Sequence, residues 1–152
     1  MIVLDANVVS AAMGERRVDV VVEWLGGQPL RDLYLTAITV FEVEVGLANA
    51  PRGRRRDELV RDFRFIQRRV NQRILPLDDA AGRFAARIVA ERKLRRVTMG
   101  LADTLLAGIA AAHGATIATR NVRHFADLPS LLPDLVIDVV NPWGPDDPGP
   151  DA

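Results

Sequence analysis

Met1-Ile-Val-Leu-Asp-Ala-Asn-Val-Val-Ser10 opens with a short apolar run that ends on a carboxylate. Ile2–Leu4 shows no apolar–polar alternation, so a strand here is one covered on both faces, as in a parallel sheet between helices. Asp5 follows immediately. In an open parallel sheet, ligands bind in the crevice beyond the carboxyl ends of the strands. This stretch therefore sets both a fold class and an address for the chemistry.

Outward from it, short β-branched runs alternate with longer segments of helical period. Further strands are expected at Leu33–Thr36, Arg73–Leu75, Thr116–Ala118 and Val136–Val139. Leu59, Val60, Phe63, Ile66 and Val70 recur at spacings of three and four, as do Phe84, Ile88 and Val89, and both sets are expected to be core stripes of helices. Thr39-Val-Phe-Glu42 has the spacing of a capping box, and His113-Gly114 closes an alanine-rich helix that starts at Leu101. Pro51 and Gly53 divide a helical hairpin over residues 38–70. Residues 1–143 read as a single domain, and the Pro/Gly/Asp-rich residues 144–152 as a loose tail.

A chain of 152 residues is the size of one domain and buries a core without staples. It has no cysteine, which excludes disulfides, thiolate zinc sites and a cysteine nucleophile, and fits a reducing cytoplasm. The opening lacks a basic stretch and is expected to be neither leader nor anchor, and no apolar run approaches the roughly 20 residues that span a bilayer. The net charge of +0 hides a segregation. Residues 52–73 hold nine arginines against three acids, while six aspartates and no lysine or arginine follow Arg123. Such a pattern suits a protein that attracts a polyanion and also holds cations.

Five polar residues fall at the carboxyl edge of the expected sheet: Asp5 and Asn7 after the first strand, Glu42 in the helix after the second, Asp103 in the first turn of the helix before the fourth, and Asn121 after the fourth. Two carboxylates about 4 Å apart repel by about 4 kcal/mol at an effective dielectric near 20, so a cluster of three calls for protons or a cation. All-oxygen ligands without cysteine favour Mg²⁺ or Mn²⁺ over zinc. A metal of that kind activates water and clamps phosphodiester oxygens. Each residue also has a plainer reading. Asp5 also reads as a helix cap, Glu42 as the returning half of the capping box, and Asp103 as a carboxylate favourable to a helix N-terminus. Asn7 and Asn121 suit turns. His124, isolated in the sequence, reads as structural.

Taken together, these segments resemble the PIN-domain family, specifically its VapC and FitB-like toxins. Residues 1–10 resemble the opening strand and D-x-N motif. Leu35-Thr-Ala-Ile-Thr-Val-Phe-Glu42 with Gly46, Leu101-Ala-Asp103-Thr-Leu-Leu-Ala-Gly-Ile-Ala110 and Ala118-Thr-Arg-Asn-Val-Arg-His-Phe125 resemble the next three motifs in order, and Val140-Asn-Pro-Trp143 a common ending. The resemblance implies a three-layer α/β/α sandwich with a parallel sheet of about five strands. It also implies a Mg²⁺- or Mn²⁺-dependent endoribonuclease with Asp5, Glu42 and Asp103 as catalytic metal ligands. Asn7, Thr119 and Asn121 would orient them or act through water. A cognate VapB-like antitoxin and homodimerisation are implied as well. Three positions depart from the family pattern: Asn121 stands for its fourth acid, His124 for the aspartate of Arg-Asp-Phe, and Ala6 for a hydroxyl residue.

Arg54, Arg55, Arg56, Arg61, Arg64, Arg68 and Arg69 lie largely opposite the apolar stripe of their helix. This is either a solvated face or an RNA contact, with Arg55, Arg61 and Arg68 as the candidates, since arginine forks match phosphate oxygens. Val20, Trp24, Val43 and Leu47 are either core or a groove for an amphipathic antitoxin helix. Two other functions compete. A haloacid-dehalogenase-like phosphatase would use Asp5 as nucleophile, although its D-x-D pattern meets Asn7 here. A catalytically weak module would bind RNA or antitoxin without cutting.

Overall fold

The computed structural model describes residues 1–97, 100–134, 137–147 and 149. Five strands form the sheet among them: β1 (Ile2–Leu4), β2 (Leu33–Thr36), β3 (Ile74–Leu75), β4 (Thr116–Ala118) and β5 (Val139–Val140). Their order is β3-β2-β1-β4-β5 and every pairing is parallel. The helices are α1 (Ala6–Ala11), α2 (Asp19–Gly26), α3 (Ala37–Asn49), α4 (Arg54–Arg69), α5 (Asp79–Arg95), α6 (Leu101–His113) and α7 (Leu128–Leu131).

Successive strand residues enter opposite cores, as the period of two requires. Val3 and Ile117 join Ile88, Leu106, Ala110 and Phe125 on the side of α5 and α6. Leu4, Leu35 and Ala118 join Val8, Val43 and Phe63 on the side of α1 to α4. The result is the α/β/α sandwich, with both faces of the short strands buried. α5 and α6 pack closely because Gly108 carries no side chain: a Cβ there would lie 2.6 Å from the Ala81 carbonyl oxygen. Gly114 ends α6 at φ 58°, in the left-handed region.

Several expectations shift. The third strand begins at Ile74 rather than Arg73. The fifth is Val139–Val140; Val136 lies outside the described residues. Val89 is 50% exposed, because it adjoins Ile88, which points into the core, and the two cannot share a face. The capping box at Thr39 is absent. Thr36 caps α3 instead, its hydroxyl accepting from the Thr39 amide at 3.0 Å, which leaves Thr39 and Glu42 inside the helix. Asp147, in the expected tail, is bonded to the sheet side. Arg120 forks onto Asp147 through Nε and Nη2, both at 3.0 Å, and lies 5.2 Å from the Trp143 ring centre. No helix among the described residues is long and apolar enough to cross a membrane.

Candidate functional site

The chain runs from β1 to β2 on one side of the sheet and reaches β4 on the other, so the strand order reverses between β1 and β4. That is where a crevice opens in such sheets. Asp5 lies at its centre, following β1, and its amide donates to the Ala118 carbonyl of β4 at 3.0 Å.

The Asp5 side chain is 4% exposed and heavily engaged. Its Oδ1 accepts from the Ala6 amide at 2.6 Å, so it does cap α1. Its Oδ2 accepts from Asn7 Nδ2 and from Thr119 Oγ1, each at 2.7 Å. Asn7 is held in turn by Thr119, and its Oδ1 accepts from the Arg120 amide at 3.2 Å. Asn7 and Thr119 thus orient the carboxylate. Burial raises the Asp5 pKa against the opposing effect of the Thr119 and Ala6 bonds, and the charge of Asp103 raises it further.

Glu42 reaches the same edge through α3. Thr39 donates its hydroxyl to the Leu4 carbonyl at 2.7 Å, fastening the start of α3 to the end of β1. Glu42, three residues on, shares that helix face. Its pKa is raised to about 7, first by burial and then by the charges of Asp5 and Asp103. With Thr36 as the cap, Glu42 has no capping task to explain its place.

Asp103 stands in the first turn of α6. Its Oδ2 lies 2.8 Å from Nδ1 of His124, so the histidine expected to be merely structural contacts a candidate ligand. The contact spans 21 residues and an intervening strand, and no local pattern announces it. Asn121 brings no charge, yet its Oδ1 is buried without a hydrogen-bond partner among the described residues.

The donor set suits a hard divalent cation: three carboxylates, of which Asp103 opposes ionisation of Asp5 and both oppose that of Glu42, together with an orphaned amide oxygen on the turn after β4. Two observations pull apart here. The three acids interact electrostatically, yet no group of three acidic or histidine side chains among the described residues is drawn in tightly enough to enclose an ion. A divalent cation among them would offset the repulsion that this coupling reflects.

Comparison with known proteins agrees with this architecture. A family model described as PIN domain matches residues 2–131. The chain belongs to the PIN-domain family. This PIN domain is 36% identical to VapC ribonuclease Y4jK of Sinorhizobium fredii, over 95% of this chain and 99% of the relative. It is 34% identical to Toxin FitB of Neisseria gonorrhoeae, over 94% and 99%. The crystal structure of FitAcB from Neisseria gonorrhoeae superposes with a TM-score of 0.82 at 33% identity, covering 94% of this chain and 99% of that one. These matches set aside the phosphatase alternative, as does Asn7, which binds Asp5 where D-x-D requires a second acid.

Away from the acidic edge, Arg55, Arg61 and Arg68 of the PIN domain are exposed. Arg54 and Arg64 pair with Glu58 and Glu44 at 2.8 and 2.9 Å. The expected groove is displaced. Val43 and Leu47 are 4% and 5% exposed and belong to the core. An apolar groove of about 420 Å³ runs instead between α2 and α4, past Val22, Leu25, Leu30, Phe65 and Ile66, with Arg17, Asp62 and Arg69 at its polar positions.

Proposed function

We propose that this PIN domain is the toxin of a toxin–antitoxin pair, a Mg²⁺- or Mn²⁺-dependent endoribonuclease that hydrolyses RNA phosphodiester bonds in the cytoplasm. The observation that carries the reading is the convergence of three carboxylates at the β1/β4 switch point, where the charge of Asp103 acts on Asp5 and the charges of Asp5 and Asp103 act on Glu42. The similarity to a VapC ribonuclease and to the toxin FitB supports the substrate class and the toxin role.

Asp5, Glu42 and Asp103 would hold the metal, with the Asn121 amide oxygen in reach through water. When bound, the metal supplies an activated water and charge neutralisation at the phosphodiester. The protein's own residues supply the rest. Thr119 and Asn7 fix the Asp5 carboxylate by donating to it, and Glu42, whose ionisation burial and the charges of Asp5 and Asp103 oppose, would be held ionised by the cation it helps to bind. Arg55, Arg61 and Arg68 would draw in the RNA backbone.

A toxin of this kind needs a restraining partner. The apolar groove between α2 and α4 suits the apolar face of an amphipathic VapB-like antitoxin helix. Homodimerisation, as the family resemblance implies, is part of the same proposal.

The test is induced expression of wild type and Asp5→Ala with sequencing of RNA ends. Growth arrest with discrete new 5′ ends is expected from the wild type alone. Equal arrest and equal cleavage from both would refute the reading, and binding of RNA without new ends would favour a non-cutting module.

A further inference from the structure

We propose that His124 is a positioning residue of the metal site: its Nδ1–H holds Asp103 Oδ2 so that the other carboxylate oxygen is presented to the cation. The inference rests on the nuclease reading above and assigns a task to a side chain that the three-carboxylate scheme leaves idle.

The two aspartates are supported very differently. Asp5 receives hydrogen bonds from Ala6, Asn7 and Thr119. For Asp103, the bond to His124 at 2.8 Å is the hydrogen bond its carboxylate makes among the described residues. An ionised carboxylate only accepts, so Nδ1 carries the proton of this bond. Ligating carboxylates are ordinarily oriented by such outer partners.

His124 is itself built to hold still. It lies in the short 3-10 turn Val122–Phe125, and the next side chain, Phe125, is fully buried. Its amide donates to the Asn121 carbonyl at 3.0 Å, and its carbonyl accepts from Arg92 Nη2 at 2.9 Å. Arg92 is 3% exposed and forks onto Asp127. A buried ion pair on α5 thus fixes the turn that carries the imidazole. The contact is part-buried, the two side chains being 34% and 18% exposed, so water competes with it only in part. As an orienting contact it acts on the less supported of the two aspartates, beside a turn that begins at the neutral Asn121.

Direct binding of Mn²⁺ alone, followed by electron paramagnetic resonance of the free ion at one fixed pH, tests this on the full chain. The variants are His124→Ala, His124→Asn and His124→Gln, with Asp103→Asn as control. The Asn amide nitrogen falls near the Nδ1 position, whereas the Gln amide reaches toward Nε2. Ala and Gln are expected to weaken Mn²⁺ binding by on the order of 10- to 100-fold, and Asn to restore it. RNA cleavage should then recover at high Mn²⁺ in the Ala variant, a shift in metal requirement with kcat retained. Wild-type affinity in His124→Ala, with weak binding in Asp103→Asn, would overturn the inference and leave the metal reading intact. Unchanged binding in Asp103→Asn would overturn both. Should His124→Ala fail to fold, equal affinities in the Asn and Gln variants would overturn the inference.

Discussion

At the carboxyl edge of β1 and β4, the central carboxylate is pulled out of water and set among fixed donors, whereas along α4 the arginines stand in solvent. Asp5 is 4% exposed with three donors on its carboxylate, while Arg55, Arg61 and Arg68 are exposed, and the Arg54 pair with Glu58 involves an 87% exposed arginine side chain. Burying like charges together is costly, and a fold keeps such an arrangement only where something else compensates. Solvated arginines cost little, and their contribution to binding a polyanion is diffuse, additive and screened by salt. One region is therefore expected to respond to single atoms and the other only to summed charge.

The largest effect should come from Asp5→Asn, which keeps the side chain's size and removes its charge. Cleavage of single-stranded RNA should fall by roughly a thousand-fold or more, about 4 kcal/mol of barrier, while the far-ultraviolet circular dichroism stays that of the wild type. Retained cleavage would mean that the buried edge is structural only.

Neutralising three arginines together, Arg55→Gln, Arg61→Gln and Arg68→Gln, should weaken RNA binding about tenfold at moderate salt. It should also flatten the slope of log affinity against log salt by up to about 2, since each single-strand phosphate contact contributes roughly 0.7. Filter binding at several salt concentrations reads both. An unchanged slope would place RNA elsewhere on the molecule.

A smaller effect concerns stability without metal. Glu42 is raised from 4.5 to about 7 in the folded chain, so between these values the folded state holds more protons than the unfolded one. Stability therefore falls as pH rises through that window, and the loss is complete above it. Glu42→Gln removes this dependence. In chelator its melting temperature should match wild type near pH 4.5 and exceed it by a few degrees near pH 8. The opposite order would mean that the Glu42 carboxylate is stabilised by partners rather than strained by its neighbours.

Most of the framework was legible in the sequence because it depends on local pattern. The unalternating Ile2–Leu4, the Leu33–Thr36 and Thr116–Ala118 runs and the Leu101–His113 helix fall where apolar periodicity and turn residues put them. Asp5, Glu42 and Asp103 could be gathered because parallel-sheet topology carries every strand end to one edge. What sequence missed was set by contacts between distant segments. The spacing of Thr39 and Glu42 points to a capping box, whereas Thr36 is the cap and the Thr39 hydroxyl is turned to the Leu4 carbonyl. His124 meets Asp103 from the turn after β4, which Arg92 on α5 also holds. Val43 and Leu47 share the helical stripe of a groove residue and of a core residue alike, and packing of α3 against the sheet decides for the core.

The central claim is that the carboxylates of the buried edge form one cation site that cuts RNA. Cleavage by the purified wild-type chain, titrated with Mg²⁺ or Mn²⁺ after treatment with EDTA, tests it most directly. No cleavage in EDTA and a saturable return with either ion is the expected result. Cleavage that persists at full rate in EDTA would contradict it.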